Sequence, residues 1–275
     1  MRRVEAPARE ARVSRISIVP VKGLAVQRVE AVEIGANGVA ENRRLHLVDA
    51  AGRLVNGKTS MRLSLVASRL DLAAGTLGLE FPGGDVVAGE LELGEPIETI
   101  FFGRPATGRL VAGPWSGALS AWSGLDLRLV IADEIGAAND RGPSAGVTII
   151  SSASIAHLAQ SGGMEALDAR RFRMLFEIDG VEPYAEDTWI DHEVRIGAAV
   201  VHPLGNVGRC VVTTCDPNTG ERDFDTLGVL ASYRGEIETT EPLPFGVVGD
   251  VVTPGLVRIG DPVVPVESEP VRRPE

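Results

Sequence analysis

The chain has 275 residues and a net charge of −11, with 44% hydrophobic and 24% charged residues. That is enough for one large or two modest domains of globular composition, and the acidity argues against a broad nucleic-acid or anionic-membrane surface. Two cysteines exclude a disulfide framework and a four-cysteine iron–sulfur site. No apolar run nears the ~18 residues of a spanning helix. A reduced, cytoplasmic protein without a signal peptide is therefore expected.

Residues 1–12 mix Arg, Glu, Ala and Pro and read as a flexible tail. Val13 to Val21 is apolar and β-branched, a strand that Lys22-Gly23 ends. Val26 to Ile34 reads as a second strand and Gly35-Ala36-Asn37-Gly38 as a turn. Glu41 to Asp49 reads as the next strand, which places His46 opposite Leu45 and Leu47, on a surface. Gly52 to Thr59 matches the phosphate-loop pattern, which needs a strand before it and a helix after it. Here Ala50-Ala51-Gly52 reads as a hairpin turn and Leu54-Val55 as a return strand, so a P-loop NTPase is only a distant alternative. Short strands at Leu70–Leu72, Thr76–Phe81, Val86–Val87 and Ile97–Phe102, parted by turn residues, point to an antiparallel barrel or sandwich. Trp115, Leu119 and Trp122 share one helical face, and a first domain is expected to end at Gly124.

Asp126 to Ala132 is expected to open the second domain as a strand. After an apolar strand at Gly146–Ile150, Ser151-Ser152-Ala153-Ser154 starts a helix through Gln160. Serines there are capping residues first, though free N–H groups at a helix start also suit a phosphate. Met164 to Ala169 reads as a short helix leading into a strand from Arg170 to Ile178, with Arg171 and Arg173 on one face. An arginine cluster in an acidic protein calls for an anionic partner, and Glu186 and Asp187 are candidates to orient it. His192 and His202 lack a third ligand at metal spacing and read as structural. Asp225 to Arg234 reads as a capped helix, and residues 268–275 as a charged tail.

Gly208 to Gly220 holds both cysteines. Val211 to Thr214 is β-branched, which puts Cys210 at the head of a strand beside Arg209, before an Asp-Pro-Asn-Thr-Gly turn. A thiolate is both nucleophile and metal ligand, and neighbouring cations favour it. On these residues alone, the safer reading is that both cysteines are small buried hydrophobes.

Arg209-Cys210 followed by Thr213-Thr214-Cys215-Asp216-Pro217-Asn218-Thr219-Gly220 resembles the MOSC family, the domain of molybdenum-cofactor sulfurases and amidoxime-reducing proteins. Further segments carry the likeness. They are Val19-Pro20-Val21-Lys22-Gly23-Leu24, Asn42-Arg43-Arg44-Leu45-His46-Leu47-Val48, Arg171-Phe172-Arg173 and Glu186-Asp187-Thr188-Trp189. Asn42, Leu45, Met174 and Leu175 stand where the family has Asp, Trp, Pro and Asn. The resemblance implies a mainly β fold with a few helices (α+β), made of an N-terminal MOSC β-barrel domain at 13–124 and a MOSC domain at 125–267. It implies molybdenum cofactor, with Cys210 as the catalytic metal ligand. Lys22, Arg43, Ser151, Ser152, Arg171, Arg173 and Arg209 would hold phosphate and pterin in the crevice between domains. The implied activity is reduction of N-hydroxylated small molecules, with electrons from a separate flavin or iron–sulfur partner. A carrier of the cofactor, or of persulfide sulfur on Cys210 with Cys215 resolving it, is the alternative.

Overall fold

Alternation of apolar and polar residues sets the strands and decides which face each one buries. The computed structural model describes residues 10–142, 145–239 and 241–266. In it Arg12–Ile18 buries Val13, Ile16 and Ile18 and pairs antiparallel with Phe176–Asp179 on one side and Gln27–Val29 on the other. These strands lie at one end of an eight-stranded sheet whose remaining members are Val147–Ser151, Pro244–Thr253, Ala199–Gly208, Val194–Ile196 and Val263–Pro265. Within it Val147–Ser151 and Phe176–Asp179 run parallel. The helix Ser152–Ser161 lies in the crossover between them, as a parallel pair requires. This is the sheet of the C-terminal lobe.

A five-stranded sheet forms the other lobe, in the order Glu92–Phe101, Arg104–Ala112, Arg128–Ala132, Leu45–Val48, Leu54–Val55. The hairpin ladder Ala67–Asp71, Thr76–Glu80, Val86–Glu90 packs with it. Val21, Leu24, Leu45, Leu47, Leu77, Leu79, Leu129 and Ile131 make its core with the helix Trp115–Ser123, which contributes fully buried Trp115 and Leu119. Gly113 precedes that helix because a Cβ there would come within 2.5 Å of the Trp115 ring.

The strands do not respect a boundary at residue 124. Arg128–Ala132, expected to open the second domain, pairs with Leu45–Val48 and Arg104–Ala112 in the first lobe. The expected second strand is two, Gln27–Val29 and Ala31–Gly35. Both join the C-terminal lobe, the latter through Gly255–Arg258. Arg12, assigned to the tail, is the first residue of a strand. The other expected tail residues lie outside the described residues except for 10 and 11.

Other readings are corrected locally. Val211–Thr214 is a single 3-10 turn, not a strand, because Thr213 and Thr214 fold their hydroxyls back onto the carbonyls of Cys210 and Val211 at 2.9 and 2.7 Å. Residues 164–168 are not helical; a 3-10 turn at Ala169–Phe172 follows, and Arg173 bends the chain with φ 56° before the strand begins at Phe176. His46 is fully buried, not on a surface. Its Nε2 meets Thr99 Oγ1 at 3.3 Å and its ring packs edge-on to Phe101, since the strand Glu92–Phe101 covers the face that alternation leaves polar.

The phosphate-loop pattern at Gly52–Thr59 is a hairpin. Leu54–Val55 inside the pattern pairs with Leu47 and Val48, and the chain continues into a 3-10 turn at Met61–Leu65. A P-loop needs its strand and helix on either side of the pattern.

Candidate functional site

Between the lobes lies a cavity of about 510 Å3. The barrel-side lobe lines it with Lys22, Gly23, Arg43, Asn56, Gly57, Lys58 and Phe102; the C-terminal lobe with Arg171, Arg173, Met174, Arg209, Cys210 and Val212; the connecting segment with Asn139, Asp140 and Arg141. Six of the eight residues singled out from sequence therefore come together: Lys22, Arg43, Arg171, Arg173, Arg209 and Cys210.

Gly23 turns the chain at φ +93°, directly after the lysine, and a Cβ there would come within 3.2 Å of Asn56 Cα. Lys22 itself is only 6% exposed and pairs with Asp140 at 2.6 Å. Burial, helped by the Arg43 charge and opposed by Asp140, pulls its ammonium down to about 8. Arg43 donates to the Arg173 carbonyl at 3.2 Å, and Arg173 donates to the Leu24 carbonyl at 2.6 Å, so each lobe's arginine is anchored on the other lobe. Burial lowers Arg173 to about 10 and Arg209 to about 9, with the nearby Cys210 sulfur acting in the opposite direction on both. Both guanidinium groups therefore stay cationic at neutral pH.

Two of the arginines serve mainly to hold the loops. Arg171 Nη1 donates to the Thr213 carbonyl at 3.1 Å and both its nitrogens grip Asp223, at 3.0 and 2.9 Å, which fixes the turn after Cys210. Arg209 Nη1 donates to the Phe172 carbonyl at 3.0 Å, Nε to the Phe245 carbonyl at 2.9 Å and Nη2 to Met174 Sδ at 3.1 Å, with its plane near the Phe172 and Phe245 rings. Cys210 is half-buried at the cavity wall, whereas Cys215 is 4% exposed, does not line the cavity and touches Thr214 Oγ1 at 3.9 Å. Cys215 is thus a small buried residue.

Ser151 and Ser152 are the exceptions, since neither lines the cavity. Ser151 is fully buried and caps the helix, accepting from Ser154 N at 3.0 Å; the Ser152 hydroxyl donates to Asp179. The helix start already holds an internal carboxyl group, that of Glu186, which burial pushes above the usual carboxylate range. Glu186 Oε1 accepts from Ser151 N at 3.0 Å and from Ser154 Oγ at 2.8 Å. The cap residues are thus engaged internally, Ser151 N and Ser154 Oγ by Glu186 and Ser154 N by the Ser151 hydroxyl. Glu186 and Asp187 accordingly do not orient the expected arginines. Asp187 pairs with Arg234 at 2.5 Å and accepts from Asn206 at 2.7 Å. Leu175 packs in the main core, and its neighbour Met174 faces the cavity. Asn42 accepts from Val19 N at 2.9 Å.

Sequence reading missed Asp140, Asn139, Arg141, Asp223 and Phe102. The residues 139–141 stand in turns without periodicity, so only their polar, glycine-flanked composition could have marked them as a loop. Phe102 is 60% exposed at a hairpin tip, with φ 47° and Lys58 Nζ 5.3 Å from its ring centre.

Fold and site together define a two-lobed, mainly β protein whose inter-lobe cavity presents one sulfur among fixed cations. The chain belongs to the MOSC family. The model of the MOSC domain matches residues 137–264 and that of the MOSC N-terminal beta barrel domain residues 10–102. It is 30% identical over 282 residues to the mitochondrial amidoxime-reducing component 1 of Xenopus laevis, covering 91% of this chain and 81% of that one. A mouse protein of the same name is 40% identical over 101 residues, 34% of this chain and 29% of that one. Among solved structures, the YuaD protein of Bacillus subtilis aligns over 92% of this chain and 93% of its own at 10% identity and a TM-score of 0.43. No helix among the described residues is long and apolar enough to cross a membrane.

Proposed function

We propose that this protein binds molybdenum cofactor in the inter-lobe cavity and reduces N-hydroxylated small molecules of the amidoxime or hydroxylamine type. The observation that carries the reading is the placing of a half-buried thiol, Cys210, in one cavity with Lys22, Arg43 and Arg173. The donor set fits the group: a soft sulfur suits molybdenum, as soft ligands do soft metals, and fixed cations suit its phosphate. The cavity volume is in the range of small-ligand sites.

Cys210 would ligate the metal, while Lys22, Arg43 and Arg173 hold the anionic end. Arg171 and Arg209 act by fixing the backbone of the Cys210 turn and of the segment around Phe172. Bound, the cofactor supplies a two-electron redox centre, and the protein supplies position and charge. The net reaction breaks an N–O bond, takes up two electrons and two protons and releases water. A separate flavin or iron–sulfur protein would provide the electrons. A reducing compartment, the cytoplasm in this proposal, would keep both thiols free. The names of the relatives add support for the reaction class.

Elemental analysis of freshly purified protein, with an N-hydroxy reductase assay driven by an artificial reductant, tests this. Stoichiometric molybdenum with turnover is expected. Cys210→Ala abolishes activity, and Cys215→Ala keeps it. Molybdenum without turnover would favour the carrier role, equal loss from both substitutions would favour a dithiol mechanism, and absence of molybdenum after expression with molybdate would overturn the reading.

A further inference from the structure

The cavity already contains a carboxylate at the place where its cations call for an anion. Asp140 Oδ1 accepts from Lys22 Nζ at 2.6 Å; the lysine side chain is 7% exposed and the aspartate side chain 62%. Partial desolvation in the cavity pushes the carboxyl of the largely exposed Asp140 up, but Lys22, Arg43 and Lys58 together hold it below the usual carboxylate range. It is therefore ionised at neutral pH, and the three cations that act on it are the three that the barrel-side lobe gives to the cavity.

The segment that carries Asp140 consists of turns and bends and is tied to both lobes. Arg104 of the barrel-side lobe donates to the carbonyls of Ala137 and Asn139 at 3.2 and 2.9 Å. On the other side Arg141 pairs with Glu241 at 2.7 Å and donates to the Asn206 carbonyl at 3.2 Å. A buried ammonium without a counter-charge is costly, so the aspartate offsets the desolvation of Lys22 when no ligand is present. The same carboxylate is a like charge at contact distance for any phosphate oxygen that approaches Lys22. The ammonium has N–H groups to spare, so it is the like charge of the carboxylate, not a lack of donors, that opposes a phosphate at Lys22.

We infer that Asp140 is a resident counter-ion, which occupies the anion seat made by Lys22, Arg43 and Lys58 and gives it up to the phosphate group of an incoming ligand. This rests on the reading of the cavity as a site for an anionic ligand. A high exposure lets the aspartate swing to water without disturbing the core, whereas the buried lysine stays in place. The seat is thus closed against small anions and opens only to a ligand whose other contacts, at the far side of the cavity, compensate for the displaced ion pair.

The test is calorimetric titration of the full chain with inorganic pyrophosphate at low ionic strength. Asp140→Asn is expected to bind pyrophosphate about tenfold tighter or more, the scale on which a like charge near a protein surface acts. Adding Lys22→Met to Asp140→Asn should return binding to the wild-type level or below. Thermal melting checks that the exposed Asp140→Asn change leaves the fold intact. Equal or weaker binding by Asp140→Asn overturns the inference, because Asp140 would then only anchor Lys22. No binding by either protein overturns the seat itself, while molybdenum content reports separately on the cofactor reading.

Discussion

Replacing Arg171 by methionine keeps the length of the side chain and removes the cation that ties the Cys210 turn to the body of the C-terminal lobe. Four hydrogen bonds at 2.9–3.4 Å are lost, one each to the Thr213 and Cys215 carbonyls and two to Asp223. Breaking a buried pair by removing one partner costs about 3–5 kcal/mol. Asp223 is 31% exposed at its side chain, so its orphaned carboxylate regains water and the cost falls at the lower end, about 3 kcal/mol. With a urea slope of about 3 kcal/mol/M for a chain of this size, the midpoint falls by about 1 M. The turn also loses its only guanidinium clamp among the described residues, so the Cys210 thiol should react faster with a thiol reagent under native conditions, while buried Cys215 does not. Asp223→Asn, which keeps an acceptor, should cost about 1–2 kcal/mol. A midpoint within about 0.3 M of wild type for Arg171→Met, with unchanged thiol reactivity, would refute the clamp.

Two further outcomes follow from the same geometry. Burial, and secondarily the Lys22 charge, lower His46 from 6.5 to about 3. The folded-state value lies below the unfolded one, so the unfolded chain takes the proton first; stability is full above pH 6.5 and is lost toward pH 3 as the solution is acidified. The loss approaches ~1.4 kcal/mol per pH unit. His46→Gln removes this slope, and identical slopes for the two proteins in urea titrations between about pH 4.5 and 6.5 would contradict it. Ser151→Ala removes a helix cap and should cost about 1–2 kcal/mol while leaving the molybdenum content of purified protein as in wild type. A loss of molybdenum without loss of stability would restore the serine to the cofactor site.

What could be read from the chain divides by range. The hairpin at Ala50–Gly52, the helical face of Trp115 and Leu119, and the cap at Ser151 depend on neighbours within a few residues, and local chemistry specifies them. The convergence of Lys22, Arg43, Arg173 and Cys210 was legible through the matched motifs, not through any periodicity. The misreadings have one cause each. β-branched Val211 to Thr214 suggested a strand, but the threonine hydroxyls bond back to carbonyls three residues earlier, and Arg171 holds the Thr213 carbonyl from 42 positions away in sequence. Alternation sent His46 to the surface because nothing nearby in sequence announces that Glu92–Phe101 covers that face. The capping role of the serines was legible, but their partners were not, because Glu186 arrives from 35 residues and Asp179 from 27 residues downstream.

The exchange of strands between lobes bears on how the molecule can be dissected and how it can move. Residues 13–124 made alone would lack Arg128–Ala132, the strip that joins Leu45–Val48 to Arg104–Ala112. Residues 125–267 made alone would leave Phe176–Asp179 as a raw edge and Gly255–Arg258 without its ladder partner, and such edges invite aggregation. The two halves of the sequence are thus stitched together, although among the described residues the ladders lie within the lobes and not across the cleft. A shift of one lobe against the other would therefore leave the sheets whole and be taken up by the crossing segments, the one around residue 140 among them.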